Sequence, residues 1–181
     1  MSLPIRKTEF YTTDYIYALP DGERAELIDG EIYNMAPPSP KHQSIALETA
    51  TIINNHIKSK GGSCKPFIAP FAVVLNEDSY NYVEPDISVI CDPSKIDHRG
   101  CNGAPDWIIE IVSPSSRKMD YLVKLFKYRS AGVREYWIVD PDKNSITVYN
   151  FETENIEHYS FSDIVGVGIL EDLSIDFNQV S

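Results

Sequence analysis

Pro85-Asp86 opens one apolar run, and Glu110-Ile111-Val112 closes another about two dozen residues later. Each places a carboxylate at the edge of a strand-like segment. Lys124 follows on a segment with helical spacing. Two carboxylates and an ammonium brought together are what a divalent metal, a water and a scissile phosphodiester require. Side chains two apart in a strand share a face, so Glu110 points with Ile108 and Val112. A lone carboxylate in such a run is expensive to bury. It is therefore a metal ligand, or it lies at the strand's exposed end or pairs with a lysine. Asp86 has a plainer alternative as a turn carboxylate at a strand start, and Lys124 as a solvated helix lysine.

The elements that must position these groups can be read from periodicity. Thr12–Leu19 reads as a short helix ended by Pro20-Asp21-Gly22. Glu26–Ile28 and Glu31–Tyr33 flank Asp29-Gly30, a two-residue hairpin turn whose central positions both need positive φ. After the proline-rich break at Pro37, Pro38 and Pro40, a helix runs from His42 to Lys60 with Ile45, Leu47, Ala50, Ile52, Ile53 and Ile57 as its apolar positions. Phe67–Leu75 reads as one strand bent near Pro70, and Asp86–Cys91 as another. Trp107–Val112 is nearly all apolar, as in a central strand covered on both faces. A helix from Arg117 to Ala131 ends at Gly132, and strands follow at 134–139, 145–151 and 155–161. Tyr136 and Trp137 fit a core strand. On that helix Arg117, Lys124 and Tyr128 lie along one edge of the apolar stripe, where a long side chain can run over the core and present its head at a cleft.

The composition is 43% hydrophobic and 24% charged, with no run near the ~20 apolar residues of a membrane span. Arg6 and Lys7 have no apolar run behind them, so the first ten residues are not expected to be a signal peptide. Cys64, Cys91 and Cys101 are odd in number and lack CxxC spacing, which points to free thiols in a reducing cytoplasm rather than a disulfide or zinc framework. With 27 acidic against 16 basic residues the net charge is -11, which argues against broad phosphate binding. The basic residues that do cluster, Arg117, Lys118, Lys124, Lys127, Arg129 and Arg134, flank the candidate site.

Pro85-Asp86 followed by Glu110-x-Val112 resembles the PD-(D/E)XK motif of restriction-endonuclease-like nucleases. The usual lysine of that motif is replaced by Val112, and Lys124 resembles the migrated lysine of some members. Glu26–Glu31, Pro37–Pro40 with His42-Gln43, Tyr82–Asp86, Ile111–Arg117, Asp120–Lys124 and Ala131–Asp140 are similar to the Uma-type family of bacterial endonucleases. The similarity runs from about residue 10 to residue 160.

The resemblance implies an α/β (α+β) fold, a mixed sheet core flanked by helices, as a single domain over residues 1–181. It implies an endonuclease-like phosphodiesterase acting on DNA, with a non-catalytic binding or regulatory protein of the same fold as the alternative. Mg²⁺ is the expected ion, Mn²⁺ an alternative, held by Asp86, Glu110 and the Val112 backbone carbonyl, with Lys124 beside the attacked phosphate. Glu26 resembles the extra acidic residue some such nucleases add, or else faces solvent on its hairpin. His42 and Gln43 belong to the site rim, or His42 caps its helix. Arg117 and Asp120 are candidate partners of Lys124, and Tyr82 and Glu84 border the cleft. A cytoplasmic homodimer without membrane contact is the expected form.

Overall fold

The computed structural model describes residues 10–180. The Arg6-Lys7 segment lies outside them. The chain order is α1 (Thr13–Tyr17), β1 (Ala25–Ile28), β2 (Glu31–Asn34), α2 (Pro40–Ser59), β3 (Lys65–Ile68), β4 (Val73–Val74), β5 (Tyr82–Val83), β6 (Ile87–Ile90), β7 (Cys101–Asn102) and β8 (Trp107–Ile111). A π-helical stretch, Met119–Lys124, then runs into α3 (Leu125–Ala131). It is followed by β9 (Glu135–Asp140), β10 (Ser145–Asn150), β11 (Asn155–Ser160), β12 (Ile164–Gly166) and β13 (Ser174–Asp176).

The larger sheet has the order β11-β10-β9-β8-β6-β3, with β8 and β9 parallel and the other pairs antiparallel. A second sheet, β2-β1-β5-β4-β7, lies apart from it in hydrogen bonding. Alternation along β8 explains how the layers form. Trp107, Ile109 and Ile111 pack with Ile45, Ile53 and Ile57 of α2. Ile108 and Val112 pack on the other face with Tyr128 of α3 and with Val73 and Val83 of the second sheet. The larger sheet is thus covered on both faces, α2 on one and α3 on the other.

Local sequence dictates the ends of these elements. Ser39 caps α2 by accepting the His42 amide at 3.2 Å, and Pro40 fits the first turn, where no amide partner is needed. Asp29 and Gly30 take φ of 52° and 78°, as the hairpin turn demands. Gly132 ends α3 with φ 95°.

Three expectations change. Phe67–Leu75 is not one strand: β3 joins the larger sheet, β4 the smaller, and the chain passes between them through Ala69-Pro70. Leu47 is exposed, because it falls outside the stripe formed by Ile45, Thr49, Ile53 and Ile57. Cys64 and Cys91 are joined in a disulfide, leaving Cys101 as a free buried thiol. The β3–β6 register sets Lys65 opposite Ile90, so the flanking cysteines meet across the strands. Among the described residues, no helix is long and apolar enough to cross a membrane.

Candidate active site

The two motif carboxylates meet through strand register. Ile87 pairs with Ile109 across the antiparallel β6–β8 ladder, so Asp86 stands opposite Glu110. The Asp86 amide donates to Glu110 Oε2 at 3.3 Å. The Ile111 amide donates to Asp86 Oδ2 at 2.7 Å. From α2, His42 Nε2 lies 3.1 Å from the same Asp86 oxygen.

Lys124 arrives from the opposite face of the sheet. Its Nζ donates to Glu110 Oε1 and to Glu26 Oε1, each at 2.9 Å, with Asp120 Oδ1 at 3.9 Å. The last contact follows from helical spacing: side chains four apart share a face, and Asp120 and Lys124 both point inward and are both buried. Lys124 is 5% exposed, which removes the reading of a solvated helix lysine.

Glu26 is also buried, not a solvent-facing hairpin carboxylate. The antiparallel β1–β5 pairing brings it beside Glu84, whose amide donates to Glu26 Oε1 at 3.0 Å. Glu84 in turn accepts from Arg24 Nε and from the Tyr82 hydroxyl, each at 2.8 Å. All of these groups except Tyr82, which faces away from it, border an open cleft of about 680 Å³ that also reaches Gln43, Val112 and Ser113.

The structure therefore brings together Asp86, Glu110, Lys124, Glu26, Glu84, His42 and Asp120, with exposed Gln43 and the Val112 segment on the rim. Arg117 is turned elsewhere. It pairs with Asp140 and, at 3.2 Å, with Asp142, so it does not position Lys124. Tyr128 belongs to the site and was not singled out by the motif. Its hydroxyl donates to Glu110 Oε1 at 2.6 Å. The signal was its place four residues after Lys124, on the same helix edge. Arg24 also escaped notice, because no motif in the sequence links it to Glu84.

Electrostatics follow from burial. The Glu110 carboxyl is pushed up to about 8 by burial, with Lys124 opposing the rise and Asp86, Asp120 and Glu26 adding to it. Asp120 is pushed up to about 6, again by burial against the pull of Lys124. Burial also works against the Lys124 charge, but Glu110, Glu26 and Asp120 outweigh it and hold the ammonium well above its usual range. Burial lowers His42, yet its contact with Asp86, helped by the Ile111 carbonyl, leaves the ring above its ordinary value.

Whether a divalent ion suits this donor set is a question of charge. Glu26, Glu84, Asp86, Glu110 and Asp120 face Arg24, Lys124 and, when protonated, His42. Anionic groups outnumber cationic ones, so an added cation fits. Among the described residues, no three His, Cys, Asp or Glu side chains already form a metal cage. Glu110 spends one oxygen on Lys124 and Tyr128. A Mg²⁺-type ion needs only one or two carboxylates with water and backbone oxygen, and Asp86, Glu110 and the backbone of Ile111-Val112 can offer them.

A mixed sheet covered by a helix on each face, with an aspartate opposite a glutamate in an open cleft, defines a restriction-endonuclease-like fold. The comparisons agree. The chain belongs to the Uma2 family, described as "putative restriction endonuclease", which matches residues 11–177. A crystal structure from Anabaena variabilis, described as a putative nuclease, superposes with a TM-score of 0.76 at 25% identity, covering 93% of this chain and 96% of that one. An uncharacterized protein of Synechocystis sp. is 28% identical over 145 residues, 78% of this chain and 75% of its own length.

Proposed function

We propose that the chain is a divalent-metal-dependent phosphodiesterase that cleaves DNA. The observation that carries this reading is the convergence of Asp86, Glu110 and buried Lys124 at one open cleft. Asp86 and Glu110, with a backbone oxygen of the Ile111-Val112 segment, would hold the ion. When bound, Mg²⁺ or Mn²⁺ polarises the phosphoryl oxygen and lowers the pKa of water. Lys124 supplies a fixed positive charge beside the attacked phosphate. Its hydrogen bonds to Glu26 and Glu110 keep the ammonium in place before substrate arrives. Tyr128 and the β6–β8 ladder fix Glu110 and Asp86 in turn. A bound cation also answers the acidity of the protein, because it offsets carboxylates that would repel a phosphate.

The test is plasmid nicking with Mg²⁺ or Mn²⁺, comparing the protein with Asp86→Ala and Lys124→Ala. Metal-dependent conversion of supercoiled to nicked DNA, lost in both variants, is expected. Cleavage that persists in both variants would overturn the site. One observation favours a second reading, a non-catalytic DNA-binding or regulatory protein: Lys124 is already satisfied by two carboxylates and only 5% exposed. Metal-dependent DNA binding without nicking would select it.

A homodimer is the proposed working form. Ile156 on edge strand β11 and Ile164 on β12 leave exposed apolar surface toward the C-terminal end. Sedimentation equilibrium tests it, with a monomer as the opposing result.

A further inference from the structure

We propose that a second concavity, formed by α1 and the turn that precedes β7, binds a nucleoside 5′-phosphate. It measures about 610 Å³ and is lined by Asp14, Tyr17, Ala18, Ala72, Tyr82 and Arg99. It shares no lining residue with the cleft. The proposal does not depend on the metal-dependent reading, since no candidate metal ligand takes part.

What carries it is an arginine held in place without an ion pair. Asp97 Oδ1 accepts the Arg99 amide at 2.7 Å and the Gly100 amide at 3.1 Å, and Asp97 Oδ2 accepts Asn102 Nδ2 at 2.9 Å. The Asp97 amide donates to the Gly100 carbonyl at 2.9 Å and closes the turn. Gly100 takes φ 151°, and a Cβ there would stand 2.2 Å from the Ala72 carbonyl oxygen, so no side chain fits. The turn is thus pressed against the segment that leads into β4, with Arg99 exposed on it. Among the described residues the Arg99 guanidinium makes no ion pair, although the chain carries a net charge of -11. It lies instead over the Tyr17 ring, 5.0 Å from the centroid.

The ligand class follows from these walls. A guanidinium over an aromatic ring keeps its N–H fork for a phosphate and its outer face for a base. Tyr82 stands at 89° to Tyr17 with centroids 6.2 Å apart, which gives the concavity a second aromatic wall. Exposed Asp14 offers an acceptor for ligand hydroxyl or amino groups. Inorganic phosphate would use none of the aromatic surface, and an uncharged aromatic ligand would leave the fork empty. A nucleoside 5′-phosphate uses both. Tyr82 also joins this site to the cleft. Its hydroxyl donates to Glu84 Oε1 at 2.8 Å, the Glu84 amide donates to Glu26, and Glu26 holds Lys124.

The experiment is isothermal titration of the full chain with adenosine 5′-monophosphate, with EDTA present so that no divalent ion draws the phosphate into the cleft. Saturable binding is expected, about tenfold or more tighter than inorganic phosphate or adenosine alone. Arg99→Ala should weaken it by about tenfold or more, the scale of hydrogen bonds to a charged group. Tyr17→Leu should weaken it by about fivefold or more through the lost stack. Arg99→Lys keeps the charge, loses the planar fork and should also weaken it. Asp86→Asn should leave it unchanged. Arg99 and Tyr17 are both exposed, so these variants keep the core intact. A short 5′-phosphorylated oligonucleotide, titrated in parallel, tells a strand end from a free nucleotide, and Arg99-dependent binding of either supports the site. Binding of neither would overturn the proposal. So would binding that survives both Arg99→Ala and Tyr17→Leu, or inorganic phosphate binding as tightly as the nucleotide. None of these results touches the nicking assay, so the two readings stand or fall separately.

Discussion

Asp86 and Glu110 are locked to one another through the backbone: the Asp86 amide donates to the Glu110 carboxylate, and the amide following Glu110 donates to the Asp86 carboxylate. The two acids are therefore fixed by the ladder that joins β6 to β8, not by flexible side-chain packing alone. Rigid strands hold reacting groups to the small tolerances that chemistry needs.

Replacing Asp86 by Asn keeps the shape and removes the charge. Nicking should fall by two orders of magnitude or more, about the scale for losing a metal ligand or a main electrostatic group. Thermal stability should change little, because Asn fits the same space and can still accept from the Ile111 amide and from His42. A large loss of stability with full activity would contradict the assignment.

Lys124→Met tests the buried ion pair from the other side. It strands three acids, Glu26, Glu110 and Asp120, without their shared cation. Removing one partner of a buried pair costs about 3–5 kcal/mol, read by urea denaturation at pH 7.5. At pH 5 much of that loss should be recovered, since the stranded acids can then take up protons.

The metal-free wild-type protein should lose stability as pH rises. Glu110 is raised to about 8 and Asp120 to about 6 in the folded chain. Between the ordinary carboxylate range and these values the folded state binds more protons than the unfolded chain. Stability is then greatest at mildly acidic pH and falls toward pH 8, by at most about 1.4 kcal/mol per pH unit for each group. Saturating Mn²⁺ should flatten this slope. Denaturation midpoints at several pH values, with and without the ion, measure both effects.

Tyr128→Phe removes the hydroxyl that donates to Glu110 and nothing else. The cost should be about 1–2 kcal/mol, because a buried carboxylate oxygen loses one of its donors. Activity should decline far less than in the Asp86 variant, since the hydroxyl holds Glu110 rather than meeting substrate. A loss equal to that of Asp86→Asn would give Tyr128 a direct role.

Much of this arrangement was readable before any coordinates. The Asp29-Gly30 turn announces its hairpin because few other pairs accept positive φ twice. The apolar Trp107–Ile111 run announces a strand covered on both sides, and a carboxylate inside it demands a reason. Other features depend on distant partners and leave no local trace. Phe67–Leu75 looks continuous, yet its two ends serve different sheets. Cys64 and Cys91 become neighbours only through the β3–β6 register. Arg117 sits on the expected helix edge but finds Asp140 at the end of β9. The π-helical widening over Met119–Lys124 is invisible to a pattern of 3.6-residue spacing.

Lys124 takes hold of one acid from each sheet, Glu26 on β1 and Glu110 on β8. The ammonium is thus a rivet between two β-layers that share no ladder. Any ligand that pulled Glu110 toward itself would loosen the rivet, so events in the cleft would be felt as slack along the seam where the hairpin is fastened.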